Sequence, residues 1–215
     1  MTTKLAVAAL AAGLVAAGAA QAQDFKPKAQ GDFILHLRIT DVAPVGTDPI
    51  TTLAGAPTGL RADVDYAVVP SVGLTYFFTD NIAAEVIATT TKHTVKAKGA
   101  GVDLKLQETW VLPPVVSLQY HFAPKAKVSP YVGVGVNYML FYSEEDHNGF
   151  ALKVKDGFGY ALQGGVDVAL RDQWALNLDV KKVFFDTTAT DRFNGVKSKV
   201  NLDPWVVSAG FGYRF

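Results

Sequence analysis

Ser143-Glu144-Glu145-Asp146-His147 is the densest group of nucleophilic, acid–base and metal-ligating side chains in the sequence, and His93, Asp103 and Glu108 fall in stretches of the same character. A serine hydrolase needs its nucleophile on a strained turn, as in G-x-S-x-G, and a zinc hydrolase needs two histidines one helical turn apart, as in H-E-x-x-H. Neither pattern occurs. With no oriented base beside Ser143, the SEEDH run reads as a solvated charged loop with at most weak surface cation binding. The 215 residues include no Cys, which removes a thiol nucleophile, a disulfide framework, a Cys-based metal site and a lipidated N-terminal Cys. No catalytic residue, metal or cofactor is expected.

A second polar set is dispersed along the chain: Arg38, Glu85, His121, Asp167, Asp179, Lys181 and Arg214. Each interrupts a stretch that alternates apolar and polar residues, and each falls on the polar parity. Their acids and bases balance, Glu85, Asp167 and Asp179 against Arg38, Lys181 and Arg214. Charges gathered in a narrow interior must be paired and hydrogen-bonded, so this set predicts a polar plug.

The elements that would gather them are strands. "DFILHLRIT" places Phe33, Leu35, Leu37 and Ile39 on one face and His36 and Arg38 on the other; "WVVSAGFGYRF" ends the chain with Trp205, Phe211, Tyr213 and Phe215 on one face. In a strand, side chains alternate between faces, so each segment has one wholly apolar face. The pattern recurs in "VVPSVGLTYFF", "IAAEVIATTT", "VVSLQYHF", "PYVGVGVNYMLFY", "YALQGGVDVAL" and "WALNLDVKKVFF". Eight such stretches of ~10 residues match tilted transmembrane strands. The connections are unequal. Tight turns are expected at residues 79–81 and 171–173, a modest one at 123–129, and long loops at 42–66, 93–110, 143–156 and 186–203. Short turns and both termini on one rim, with long loops on the other, is the layout of a bacterial outer-membrane barrel. Tyr76, Phe78, Tyr120, Phe122, Trp174, Tyr213 and Phe215 cluster beside the short turns as an interfacial girdle. A soluble lipocalin-like barrel, with its apolar face turned inward, would explain neither the girdle nor the unequal loops.

Residues 1–22 stand apart. Lys4, an apolar run over residues 5–19 and Ala20-Gln21-Ala22 read as a secretory signal peptide cleaved after Ala22. The fold class is therefore an all-β, eight-stranded antiparallel transmembrane barrel over residues 23–215. The 20 basic and 20 acidic residues cancel, which argues against a nucleic-acid partner.

Within the barrel, parity places Val69, Val115, Met139, Phe141, Val183 and Phe185 inward near the long loops, as an apolar cup suited to apolar ligands above the plug. Pro70, Pro113 and Pro114 lack ladder donors and are candidates for a lateral gap toward lipid.

"LRITDVAP", "TYFFTDNIAAEVIATTTKH", "LPPVVSLQYHF", "PYVGVGVNYMLF" and "DPWVVSAGFGYRF" together resemble the outer membrane protein W (OmpW) family across the whole chain after residue 22. The resemblance implies an eight-stranded barrel of Gram-negative outer membranes associated with passage of small hydrophobic molecules, including alkanes in some members. Its partners would be outer-membrane lipid, small hydrophobic solutes and, during biogenesis, the barrel-assembly machinery. Phe211, Tyr213 and Phe215 are similar to the C-terminal signal that this machinery reads. The alternative is a structural or adhesive barrel whose extracellular loops bind a partner and whose lumen carries nothing.

One rim aromatic contributes only ~1–3 kcal/mol of burial. Deleting Phe215 should therefore slow insertion far more than it weakens the finished barrel. Outer-membrane levels of truncated and intact chains in cells measure this; equal levels would refute the assembly role.

Overall fold

The computed structural model describes residues 25–99, 101–191 and 193–215; the expected signal peptide lies outside them. No described helix is long and apolar enough to cross a membrane, and the chain is built from strands. In order they are β1 (Phe33–Ala43), β2 (Thr47–Thr52), β3 (Pro57–Val64), β4 (Ala67–Phe77), β5 (Ile82–Ala88), β6 (Thr91–Gly99), β7 (Val102–Leu112), β8 (Val115–His121), β9 (Val128–Asp146), β10 (Leu152–Val154), β11 (Gly157–Ala169), β12 (Trp174–Phe184), β13 (Asp186–Asp191), β14 (Val196–Asn201) and β15 (Trp205–Arg214).

These form eight long arms in two storeys. In the lower storey β9, β11, β12, β15, β1, β4, β5 and β8 pair in that cyclic, antiparallel order, and β8 closes the ring against β9. The upper storey runs β10, β13, β14, β2, β3, β6, β7, β9. Only β9 passes through both without a break. The lengths expected as loops are thus largely strand. Residues 42–66, 93–110, 143–156 and 186–203 continue the barrel wall upward, and only their tips turn. Pairing a second storey satisfies the backbone groups that free loops would leave to water.

The outer surface of the lower storey is apolar. Leu37, Ile39, Val72, Leu118, Val134, Leu162 and Leu178 all face outward and are exposed. Aromatic pairs bound this belt below, at Phe33–Tyr76, Tyr76–Phe78, Tyr120–Phe122 and Trp174–Tyr213. A second ring, not anticipated from the sequence, bounds it above at Tyr138–Phe158 and Tyr160–Phe184, with Trp205 beside them. Along β12, Trp174 in the lower ring and Phe184 in the upper ring are separated by about 25 Å of height for a tilted strand rising ~3.3 Å per residue, the thickness of an outer-membrane apolar band.

Above the upper ring the polarity inverts. Lys92, Lys96, Lys98, Arg61, Lys153 and Lys199 now point outward, while Ile50, Ala62, Ala97, Leu106 and Leu152 are buried inward as a separate apolar cluster. The lower wall is oily outside and polar inside; the upper wall is the reverse. Each storey turns its apolar face away from water, toward lipid below and toward its own interior above.

At the short-turn end, residues 25–32 form a strap across the mouth. Phe25 bridges Asp172, the Lys28 amide donates to the Pro124 carbonyl at 3.1 Å, and the Gly31 amide donates to the Phe77 carbonyl at 2.9 Å. Phe215 follows β15 directly, beside Phe33, its amide donating to the Phe33 carbonyl at 2.9 Å.

Placing a charge near the middle of the lower belt should be costly, and the same change outside the upper wall should not. Leu178→Arg is expected to lose ~2–4 kcal/mol, and Thr188→Arg to change stability by less than about 0.5 kcal/mol. Urea titrations of the heat-modifiable folded band in liposomes compare the two directly. Equal losses would mean that the belt is not where the rings place it.

Candidate functional site

The lumen of the lower storey is filled by side chains, as eight strands require. Glu85 on β5 is its centre. The carboxylate accepts from the Arg38 Nη2 at 2.7 Å, from the Gln163 Nε2 at 2.8 Å and from the Gln119 Nε2 at 3.1 Å, with the Lys181 ammonium 3.2 Å away. The Lys181 ammonium also donates to Asp179 at 2.5 Å, and the Tyr131 hydroxyl donates to the other Asp179 oxygen at 2.7 Å. Arg38 Nε donates to Asn177, whose amide donates in turn to Asp167 at 2.7 Å. All of these side chains are buried.

Local backbone makes room for them. Gly73 on β4 faces inward beside Arg38. A Cβ there would lie 2.8 Å from Arg38 Nη1 and 3.2 Å from Glu85 Oε1, so a side chain at this position would displace the ion pair.

Of the sequence-predicted plug residues, Arg38, Glu85, Asp167, Asp179 and Lys181 share one connected network, and His121 borders it through Gln119 at 3.1 Å. Arg214 is the exception. It lies below, 3.6 Å from Asp32 and bonded to the Lys26 carbonyl, at the mouth. The base that balances Asp167 is instead Lys28, from the strap, at 2.7 Å. Sequence reasoning missed Lys28 and Tyr131 as network members. Tyr131 lies on the inward parity and was legible in principle; Lys28 lies outside any alternating stretch.

Over the network lies a neutral layer, where Thr40 bonds Ser71 at 2.6 Å and Ser208 at 2.9 Å. Above that, Ile87, Val111, Val115, Met139, Val183 and Phe185 pack into an apolar floor, with Phe141 against it. A cavity of about 230 Å³ opens over this floor, within the upper storey. Met139 and Phe141 line it, with Ile50, Leu60, Leu104 and Leu106 among its walls. The six residues expected to form the cup therefore divide. Met139 and Phe141 face the cavity; Val115, Val183 and Phe185 pack beneath it; Val69 is half-buried on β4, opposite Thr40, and does not line the cavity. The cavity walls come from residues expected in loops.

The regular ladder is interrupted at the level of the upper ring, although the Asp65 amide still donates to the Thr94 carbonyl at 3.2 Å. β4–β5 pairing ends at Val72↔Ala88 and β3–β6 pairing resumes at Val64↔Val95. Between these, Thr89 Oγ1 donates to the Pro70 carbonyl at 2.8 Å and His93 Nδ1 lies 2.7 Å from the Asp65 carbonyl. Burial pushes the His93 imidazole down from its ordinary pKa, so it is neutral, and Nδ1 carries the hydrogen that the carbonyl accepts. Pro113 and Pro114 separate β7 from β8 at the same height, and Pro113 also touches the cavity.

Charged side chains gather at the far end of β7 and β9. Glu108, Glu145 and His147 converge, with side-chain atoms close enough to share a cation. The Lys92 and Lys105 ammoniums each lie 2.8 Å from Glu108 and hold its carboxyl down to about 2. The group is a salt-bridged surface patch.

A family model for the OmpW family matches residues 29–215. The chain belongs to the OmpW family. Outer membrane protein W of Salmonella typhi is 35% identical to it over 224 residues, covering 99% of each chain. The crystal structure of OprG from Pseudomonas aeruginosa matches with a TM-score of 0.82 at 31% identity, over 88% of this chain and 98% of OprG. The solid-state NMR structure of AlkL in DMPC bilayers matches with a TM-score of 0.65 at 27% identity, over 93% and 95% of the two chains. The OmpW-family barrel of this chain is an outer-membrane protein, and its apolar belt is the surface that meets lipid.

Removing Glu85 leaves both Arg38 and Lys181 buried with one acid fewer. Glu85→Ala should destabilise the barrel by about 3–5 kcal/mol. Denaturant midpoints in detergent micelles or liposomes test this, and an unchanged midpoint would show that the lumen charges are hydrated one by one.

Proposed function

We propose that this protein admits small apolar molecules from outside the cell to the cavity of the upper storey and releases them sideways into the outer membrane. The short turns, the strap and both chain termini face the periplasm in this reading, and the upper storey stands outside the membrane. The observation that carries it is the sequence of layers along the axis: an apolar cavity, an apolar floor, then a closed ion network. An apolar solute would have to desolvate Glu85, Arg38 and Lys181 to continue downward, at a cost of several kcal/mol. Passage between strands at Pro70 and at Pro113–Pro114 meets fewer ladder bonds, and it opens at the height where the outer surface becomes lipid-facing.

The size of the cavity supports small ligands. About 230 Å³ exceeds the ~150 Å³ in which an engineered apolar cavity binds benzene and falls below the ~300–1,000 Å³ of drug-sized sites. The lining is largely aliphatic, which supports the reading of a channel for apolar solutes. Phe211, Tyr213 and Phe215 serve assembly in this account. Their outward position on β15, with Tyr213 edge-on to both Trp174 and Phe215, also anchors the lower ring.

Phe141→Asp and Leu60→Asp would put a charge where an apolar ligand must desolvate it, while water reaching the upper storey spares the empty barrel most of that cost. Both variants should fold, as read by heat-modifiable mobility, and both should lower uptake of a fluorescent hydrophobe into whole cells. Normal uptake by well-folded variants would sink the transport reading and favour the structural or adhesive barrel.

A further inference from the structure

Lys28 is unusual among the lumen cations because it does not belong to the wall. It rises from the strap at residues 25–32, and its ammonium is buried. Its three N–H donors meet three acceptors: Asp167 Oδ2 at 2.7 Å, Ser129 Oγ at 2.9 Å and His121 Nδ1 at 3.0 Å. An ammonium can only donate, so His121 Nδ1 must accept here, and its Nε2–H is left to donate to Gln119 Oε1 at 3.1 Å. Asp167 is held from the other side by the Asn177 amide at 2.7 Å, and His36 Nε2 stands 3.7 Å from the same oxygen. The Phe77 ring, 5.8 Å from the ammonium, completes the surround.

We propose that Asp167, Ser129 and His121 form a binding socket for a primary ammonium at the short-turn mouth, filled in cis by Lys28, which thereby latches the strap over the lumen. Three acceptors from β11, β9 and β8 arranged around one nitrogen select for three N–H bonds as well as for charge. A guanidinium is planar and too broad for this arrangement, and a quaternary ammonium has no hydrogen to give. A cavity of about 30 Å³ beside the strap, lined by Lys28, Ser129 and Asp167, adjoins the socket and leads to the outer surface of the mouth. The rest of the strap is tied to the turns by backbone bonds, such as those from Lys26 to Asp172 and from Lys28 to Pro124, which fix its course but place nothing else in the lumen centre. The tether gives Lys28 a high effective concentration, so in the intact chain the socket is occupied by its own strap. With that side chain removed, it should accept a soluble primary alkylamine. The site is independent of any apolar solute in the upper cavity.

The test is chemical rescue. Lys28→Ala removes three carbons and the ammonium, which n-propylammonium restores. The unfolding midpoint of full-length Lys28→Ala in liposomes should fall below that of the intact chain and then rise with n-propylammonium. The same concentration of N,N,N-trimethylpropylammonium should leave it unmoved, and the intact chain should ignore both. In Lys28→Ala/Asp167→Asn the response should vanish. If Lys28→Ala does not fold alone, refolding is scored with and without each amine, and recovery only with n-propylammonium carries the same meaning. No response to n-propylammonium, or an equal response to the quaternary ion, would overturn the socket; the second result would reduce it to unspecific screening of Asp167.

Discussion

A backbone amide in lipid has no water to bond, and every other feature of this barrel is arranged around that fact. Within the belt bounded by the two aromatic rings, the eight lower strands pair continuously and close on themselves. At the upper ring the constraint relaxes, because water can now serve an unpaired group. Seven of the eight arms break there, all except β9. Pro113 and Pro114 sit in one of these breaks, and Pro70 sits just below another. The breaks in the strands thus lie where hydrocarbon gives way to the interface, and a break lower in the belt would expose backbone to lipid.

Closure also fixes the lumen. Eight strands leave room for side chains and little else, so a charge placed inside cannot be hydrated in bulk and must find its complement. Glu85, Asp167 and Asp179 are answered by Arg38, Lys181 and Lys28, one from each of three different parts of the chain. Because Lys28 comes from outside the wall, the ring of strands alone does not neutralise its own interior. The strap is part of the charge balance, and the final arrangement of the network depends on residues that precede the first strand.

The inversion of polarity between storeys gives the molecule two compartments of opposite kind on one axis. The lower one is dense, charged and closed; the upper one is apolar and holds the cavity. Neither property requires a change of fold, since the same antiparallel pairing continues through both. The change lies in which face of each arm carries the apolar residues, and in what solvent lies outside.

Along the chain, the lower storey was legible because lipid outside and a polar lumen inside write a strong alternation into Phe33–Ala43, Trp174–Phe184 and Trp205–Arg214. Arg38, Glu85, Asp167, Asp179 and Lys181 of the network, and the lower girdle, followed from that parity; Lys28 did not. The upper storey was not legible, because "TVKAKG" and "VKSKVN" alternate small or β-branched residues with lysines and "TTATD" is a short polar run, compositions shared by solvated loops. Their status as strands depends on neighbours far away in sequence, such as Val196 opposite Thr52 and Arg61 opposite Lys98. Partner choice inside the lumen was equally hidden: composition balanced Arg214 against the acids, while geometry placed Arg214 on Asp32 and brought Lys28 to Asp167. The sequence by itself determined the number of arms, their inward and outward faces and the membrane they suit, since these are local consequences of a period of two. Only the tertiary structure decided which charges meet and where the cavity opens, because both depend on the height at which distant strands come into register.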